Sequence, residues 1–240
     1  MHHIPKATPV NPMNHRKSLH GYPSKTDRVY DILLENIIRR RLLPGEKLVE
    51  RDLAQKLGVS KTPVREALAR LEREGLIQGA SYHGFSVTEL SENDAIEIYD
   101  IRQIVDGLAA RRAAQNVNKE QVTELQFVIQ SFRDYVKKND LESYNSLDMK
   151  FHNLLGAISG NRRLCEIMQR LRNQTRILMT TSVTLPGRAE ASLAEHTRIV
   201  DAIARRDPDL AEQLSREHIR NVRKAVLSSL KGAPQSLATN

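Results

Sequence analysis

The stretch that decides the fold is KLVERDLAQKLGVSKTPVREALARLEREG, Lys47–Gly75. It reads as two short helices about a tight turn: Glu50 to Leu57, ended near Gly58, then Lys61 to Glu74, ended by Gly75. Ala54 is small where the helices must cross, Gly58 suits the turn backbone, and Val59 and Val64 lock the pair. Val64, Leu68 and Leu71 form the inward stripe of the second helix. Ser60 or Thr62 can cap that helix, and Pro63 is tolerated in a first turn, where its missing N–H had no partner to lose. This is the geometry of a helix-turn-helix, which sends the N-terminal residues of its second helix into a DNA major groove. Here those residues are Ser60, Lys61, Thr62 and Arg65. An arginine can grip guanine O6 and N7 with two N–H groups, which suits Arg65, while Lys61 can read a base or hold a phosphate. Arg51 opens the preceding helix, within reach of the backbone or a nearby base. The competing reading is a protein-contact motif with its charges merely solvated.

Working outward, a helix fits Ser24 to Arg41 through Val29, Leu33, Ile37 and Ile38, with Arg39, Arg40 and Arg41 favourably placed at its C-terminus. Pro44-Gly45 forces a turn. Leu76-Ile77 and Phe85-Ser86-Val87 alternate as short strands about Ser81–Gly84. Three helices and a hairpin make a winged helix-turn-helix over residues 23–90, whose tip, His83-Gly84, can reach a minor groove. Residues 1–22 hold Pro5, Pro9 and Pro12 and lack apolar periodicity; they read as an arm, in which His2 and His3 need be no more than part of a tail. From Ser91 the chain is helical throughout, with helices near 92–115, 119–138, 140–159, 161–183, 188–206 and 208–230. The expected fold is mostly α: the winged helix, then an antiparallel all-α bundle over 91–232 and a frayed tail, 233–240.

Charge points the same way. The 240 residues carry 37 Lys and Arg against 29 Asp and Glu, a net +8, and residues 1–90 alone hold 15 against 10. A basic balance suits a polyanionic partner without proving one. Cys165 is the only cysteine, so no intramolecular disulfide can form, and it reads as a small core residue. No apolar run nears the ~20 residues of a membrane span, and no secretory signal is evident, so the expected location is the cytoplasm.

The second domain holds polar residues on apolar rows. Asp148 and His152 are four apart on one helix and share a face with Tyr144 and Leu155. A carboxylate on such a row is costly unless something compensates it. His196 lies on a row with Val200 and Ile203, and His218 on a row with Leu214 and Val222. Both histidines are 11 residues from Asp207, where Asp207-Pro208 divides the two helices. If those helices form a hairpin, each histidine stands about 16 Å from the turn, at ~1.5 Å per residue, and the two lie side by side. One aspartate and three histidines converging in this way make a divalent-metal site with positions open for water or ligand, zinc first, with nickel, manganese or iron as alternatives; the competing reading is that each histidine is a satisfied core residue. Arg102 interrupts the apolar row between Ile98 and Val105. It is either half of an ion pair with Asp148 or Glu97, or a clamp for a carboxylate. Asn173 and Arg176 on a later helix are candidates for the same cavity.

Two resemblances converge on these residues. PGEKLVERDLAQKLGVSKTPVREALARLEREGLI, within a match running from about Asp27 to Thr88, is similar to the DNA-binding domain of the GntR family of bacterial transcription regulators. The resemblance implies DNA contacts at Arg51, Ser60, Lys61, Thr62, Arg65, His83 and Gly84; some relatives carry Arg where this chain has Lys61. EIYDIRQIVDGLAARRAA, DMKFHNLL, EHTRIVDAIARRDPDLAE and REHI resemble the FCD ligand-binding domain of the FadR-like subgroup. That implies metal ligands at Asp148, His152, His196 and His218, and small organic acids bound beside the metal. The family pattern usually has Glu where this chain has Asp106.

The expected protein is therefore a regulator, not an enzyme: a repressor whose affinity for a palindromic operator responds to a small carboxylate beside a divalent metal. It should be a homodimer, since one recognition helix reads only a few base pairs and a palindrome needs two. The alternatives are a direct metal sensor and a metalloenzyme with a nucleic-acid tether. The metalloenzyme lacks an evident paired general base or nucleophile.

Overall fold

The computed structural model describes residues 23–79, 84–182 and 185–232 and divides into two compact units, Met1–Glu89 and Leu90–Asn240. The arm 1–22, the wing tip with His83 and the tail 233–240 lie outside the described residues.

In the first unit, α1 (Lys25–Ile38) starts at a capping box in which Ser24 and Asp27 exchange bonds to each other's backbone N–H. It buries Val29, Tyr30, Leu33 and Ile37. The helix ends before the basic run: Arg39 is its C-cap and Arg40 turns to φ 52°, so these arginines terminate the helix from outside instead of occupying its last turn. Helices α2 (Glu50–Leu57) and α3 (Lys61–Arg73) flank a turn in which Gly58 takes φ 65° and the Val59 N–H donates to Ala54 O. Leu53, Ala54, Val64, Ala67, Leu68 and Leu71 are buried. Ser60 occupies the N-cap of α3 but makes no side-chain capping bond, contrary to the expected cap.

Among the described residues the sheet has three strands, one more than the sequence indicated: β1 (Lys47–Leu48), β2 (Ile77–Gly79) and β3 (Phe85–Val87), antiparallel in the order β1-β3-β2. A two-residue strand offers no alternation to detect, so β1 exists through its pairing with Phe85 and Ser86. The second strand begins at Ile77 and not Leu76, and pairs Ile77 with Val87.

The second unit contains α4 (Glu92–Asn116), α5 (Lys119–Lys138), α6 (Leu141–Ile158), α7 (Arg162–Ser182), α8 (Arg188–Ala204) and α9 (Pro208–Gly232). Capping explains several boundaries. Ser91 with Asp94 and Asn118 with Gln121 form capping boxes, Asp140 accepts from Ser143 N–H, and Asn139 supplies a left-handed C-cap. Leu125, Val128, Phe132, Phe151, Leu155, Ile199 and Ile203 form much of the core. Arg206 at φ 55° and Asp207, whose carboxylate accepts from Leu210 N–H, turn α8 into α9.

Gly84 has a local reason to be glycine. Its φ is +103°, and a Cβ there would stand 2.8 Å from the Leu48 carbonyl oxygen of β1. Gly58 is also left-handed, but a Cβ there would meet open space. Gly58→Ala should therefore cost the about 1–2 kcal/mol of a left-handed backbone. Gly84→Ala should cost more, because backbone must also move; urea denaturation of the two variants followed by circular dichroism checks the order.

Candidate functional site

The first candidate surface is the start of α3. Arg51, Ser60, Lys61, Thr62 and Arg65 are all exposed, while Pro63 and Val64 between them are buried. No acidic residue sits in the first turn of α3, and Lys61 there is exposed. Arg65 is not idle: its Nε–Nη2 edge lies on Glu50 at 3.1–3.2 Å, which raises its pKa through the hydrogen bond and the carboxylate charge. The pair crosses from α2 to α3, and the arginine side chain is still 67% exposed. Such an exposed pair is worth little and is easily exchanged for a base or phosphate. Gly84 adjoins β1, as described above, and His83 lies outside the described residues.

The second candidate is a buried polar cluster built by the helices of the second unit. His152, His196 and His218 are 2%, 0% and 2% exposed, and one ring nitrogen from each lies within 4.8 Å of the others. His196 Nε2 and His218 Nε2 are 3.2 Å apart across the α8–α9 hairpin. Asp148 completes the group, with Oδ1 3.6 Å from His196 Nε2 and Oδ2 3.8 Å from His152 Nε2. Phe132 and Phe151 pack on His196 at ring-centroid distances of 5.0 and 4.5 Å. That dry setting drives the His196 pKa well below its ordinary value, with His218, Arg188 and Arg172 adding to the effect of burial. Burial likewise raises the Asp148 pKa, against the opposing pull of His218, Arg102 and Arg172.

The donor set fits a divalent cation. Zinc–nitrogen bonds of about 2.0–2.1 Å in a tetrahedral site imply ligand–ligand separations of roughly 3.3 Å. Here His196 and His218 are 3.2 Å apart, Asp148 is 3.6 and 3.8 Å from His196 and His152, and one nitrogen from each of the three imidazoles lies within 4.8 Å of the others. A buried carboxylate whose charge is disfavoured and an imidazole held neutral are the forms that a cation would stabilise and need.

Arg102 has a different partner from the two the sequence offered. Its Nε lies 3.4 Å from Asp106, one turn on in α4, and its Nη1 donates to Thr175 at 3.2 Å. It pairs with neither Asp148 nor Glu97 in that contact, because four residues along the helix bring Asp106 to the same buried face. Asp106 also accepts from Arg172 Nη2 at 2.7 Å. One carboxylate thus serves two guanidiniums, with all three side chains at 1–3% exposure. Burial pulls the Arg172 pKa down to about 10, opposed by Asp106, so it keeps its charge at neutral pH. Arg172 Nε and Nη1 have no hydrogen-bond partner among the described residues. Burial also opposes the charge on Arg102, but Asp106, Tyr99 and Asp148 outweigh it. Asn173 is buried and Arg176 half-buried on α7, each with partners of its own.

Sequence reading passed over Arg172 and Glu195, and took Asp106 only as a departure from the family pattern. Only a spacing of four from Arg102 marked Asp106, and Glu195 was masked by adjacency to His196. Asp106→Ala should leave two buried cations without their shared acceptor and cost about 3–5 kcal/mol, read as a lowered Tm and denaturation midpoint.

Comparison with known proteins accords with this architecture. Residues 97–221 match the FCD domain, and residues 25–87 match the bacterial regulatory proteins of the gntR family. The uncharacterized HTH-type transcriptional regulator YdhC of Bacillus subtilis is 32% identical over 186 residues, covering 77% of this chain and 83% of that one. The HTH-type transcriptional repressor RspR of Escherichia coli K12 is 28% identical over 202 residues, covering 83% and 87%. The solved structure of E. coli McbR/YncC superposes with a TM-score of 0.74 over 88% of this chain and all of that one; at 24% identity it speaks to the fold. With a GntR reading head and an FCD domain in one chain, related along most of its length to transcription regulators, this protein belongs to the GntR family and is a DNA-binding transcriptional regulator, not an enzyme.

Proposed function

We propose that this regulator is a repressor whose grip on its operator is set by a small carboxylate bound beside a divalent metal in the FCD domain. The observation that carries this reading is the chemistry of the buried cluster: Asp148 and the imidazoles of His152, His196 and His218 converge beside Arg102 and Arg172, which share one carboxylate. The four convergent side chains would hold the metal, zinc first, with nickel, manganese or iron as alternatives. When bound, the metal supplies a Lewis-acidic centre that a carboxylate oxygen can approach. Arg172, with unpartnered N–H groups, joins Arg102 as a clamp for the anion; Asn173 and Arg176 remain candidates for its rim. Repression agrees with the relative named as a repressor.

On the DNA side, Arg51, Ser60, Lys61, Thr62, Arg65, His83 and Gly84 are the proposed contacts. Arg65 would exchange Glu50 for a guanine edge. A palindromic operator calls for a homodimer, and α4 offers a face for one: Ile101, Ile104 and Leu108 recur on one side of the helix at 50%, 55% and 39% exposure. Among the described residues no helix is long and apolar enough to cross a membrane, which suits a cytoplasmic site of action.

Fluorescence anisotropy on operator DNA tests the reading. Zinc-loaded protein should change its operator affinity at least tenfold with one member of a panel of small carboxylic acids, recovered unchanged. An affinity that follows zinc and ignores every acid would instead make it a direct metal sensor. Arg65→Ala should cost about 1–3 kcal/mol and blur preference at one base pair; a uniform loss on all sequences would assign Arg65 to phosphate. Ile104→Glu should shift sedimentation from dimer to monomer and leave the circular dichroism of the helices intact.

A further inference from the structure

His218 differs from the other two imidazoles of the cluster in how its far nitrogen is held. Its Nδ1 lies 2.6 Å from Glu195 Oε2, while its Nε2 faces His196. A carboxylate accepts, so this contact places a ring hydrogen on Nδ1; in the neutral ring the lone pair is then on Nε2, the nitrogen turned to the cluster. Glu195 is itself fixed on both oxygens. Arg188 Nη2 donates to Oε2 at 2.6 Å, Arg188 Nη1 to Oε1 at 3.2 Å, and Asn221 Nδ2 to Oε1 at 2.9 Å. The carboxylate is 14% exposed and the arginine 12%, so water competes little for either. The Arg188–Glu195 bonds lie within α8, and the Asn221 bond ties Glu195 to α9 one turn beyond His218.

The other two rings lack this arrangement. His196 Nδ1 and His152 Nδ1 have no hydrogen-bond partner among the described residues; Asp106 Oδ1 stands 3.3 Å from the latter but outside hydrogen-bonding geometry. If the Arg188–Glu195 pair were only a brace within α8, it would not need to end on the far nitrogen of a cluster imidazole at 2.6 Å.

We propose that Glu195, held by Arg188 and Asn221, is a positioning residue for the metal centre: it fixes the tautomer and ring orientation of His218 so that the Nε2 lone pair meets the cation. This rests on the metal reading above. Outer partners of this kind commonly carry roughly a 10–100-fold share of metal affinity.

The test uses the full-length chain stripped with chelator and reloaded with zinc. Zinc affinity is measured by competition with a chromophoric chelator, and the His218 tautomer by long-range proton–nitrogen NMR correlations of the imidazole. Wild type should show His218 protonated on Nδ1 in both states. Glu195→Gln should bind zinc roughly 10–100-fold more weakly and lose the single tautomer. Arg188→Met, which removes one of the two groups that hold the acid but keeps the acid and Asn221, should lower Tm and weaken zinc binding less than Glu195→Gln does. Should Glu195→Gln not fold, Glu195→Asp, one methylene short of the ring, carries the same expectation. A variant at Glu195 that folds, binds zinc like wild type and keeps the His218 tautomer overturns this role and leaves the metal reading standing. Failure of wild type to bind zinc, nickel or manganese overturns both.

Discussion

The second unit depends on how charge is kept inside a helical bundle. Asp106, Arg102 and Arg172 are almost wholly excluded from water, and Asp148 with three imidazoles lies in the same interior. Isolated charges in such a place are expensive, and a buried ion pair seldom gains more than its desolvation costs. An apolar core of the same volume would serve stability as well or better. The persistence of this many ionisable groups against Phe132 and Phe151 therefore argues for a site, and it explains why α4, α6, α7, α8 and α9 must all be in place before the groups can be satisfied.

The reading head follows a different economy. Its core of Leu53, Val64, Ala67, Leu68 and Leu71 is apolar and closely packed, and its polar residues face solvent at the start of α3. Arg65 resting on Glu50 keeps a guanidinium oriented while no DNA is present. Such an exposed pair is weak, which is compatible with the contact proposed for Arg65.

The helices were largely legible in the sequence because their signals are local. Apolar spacing and terminators placed α2, α3 and α5 within a residue of their observed bounds, and the Asp207-Pro208 break anticipated the hairpin that sets His196 against His218. Symmetry about a turn is a one-dimensional property, which is why counting residues sufficed. Strand β1 escaped because two residues show no period, and the Arg39–Arg41 run was placed inside α1 because charge preference does not reveal where the backbone leaves the helix.

By itself the sequence determined the family, the helix-turn-helix, the all-α second domain and the four side chains Asp148, His152, His196 and His218, since each rests on residue type and spacing along one chain. Only the tertiary structure decided that Arg102 meets Asp106, that Arg172 comes from α7 to share it, that Arg65 lies on Glu50, and that Glu195 turns away from its neighbour His196 to hold His218. The physical reason is that an ionisable group takes the partner that packing places within about 3 Å, and most of these partners belong to other helices.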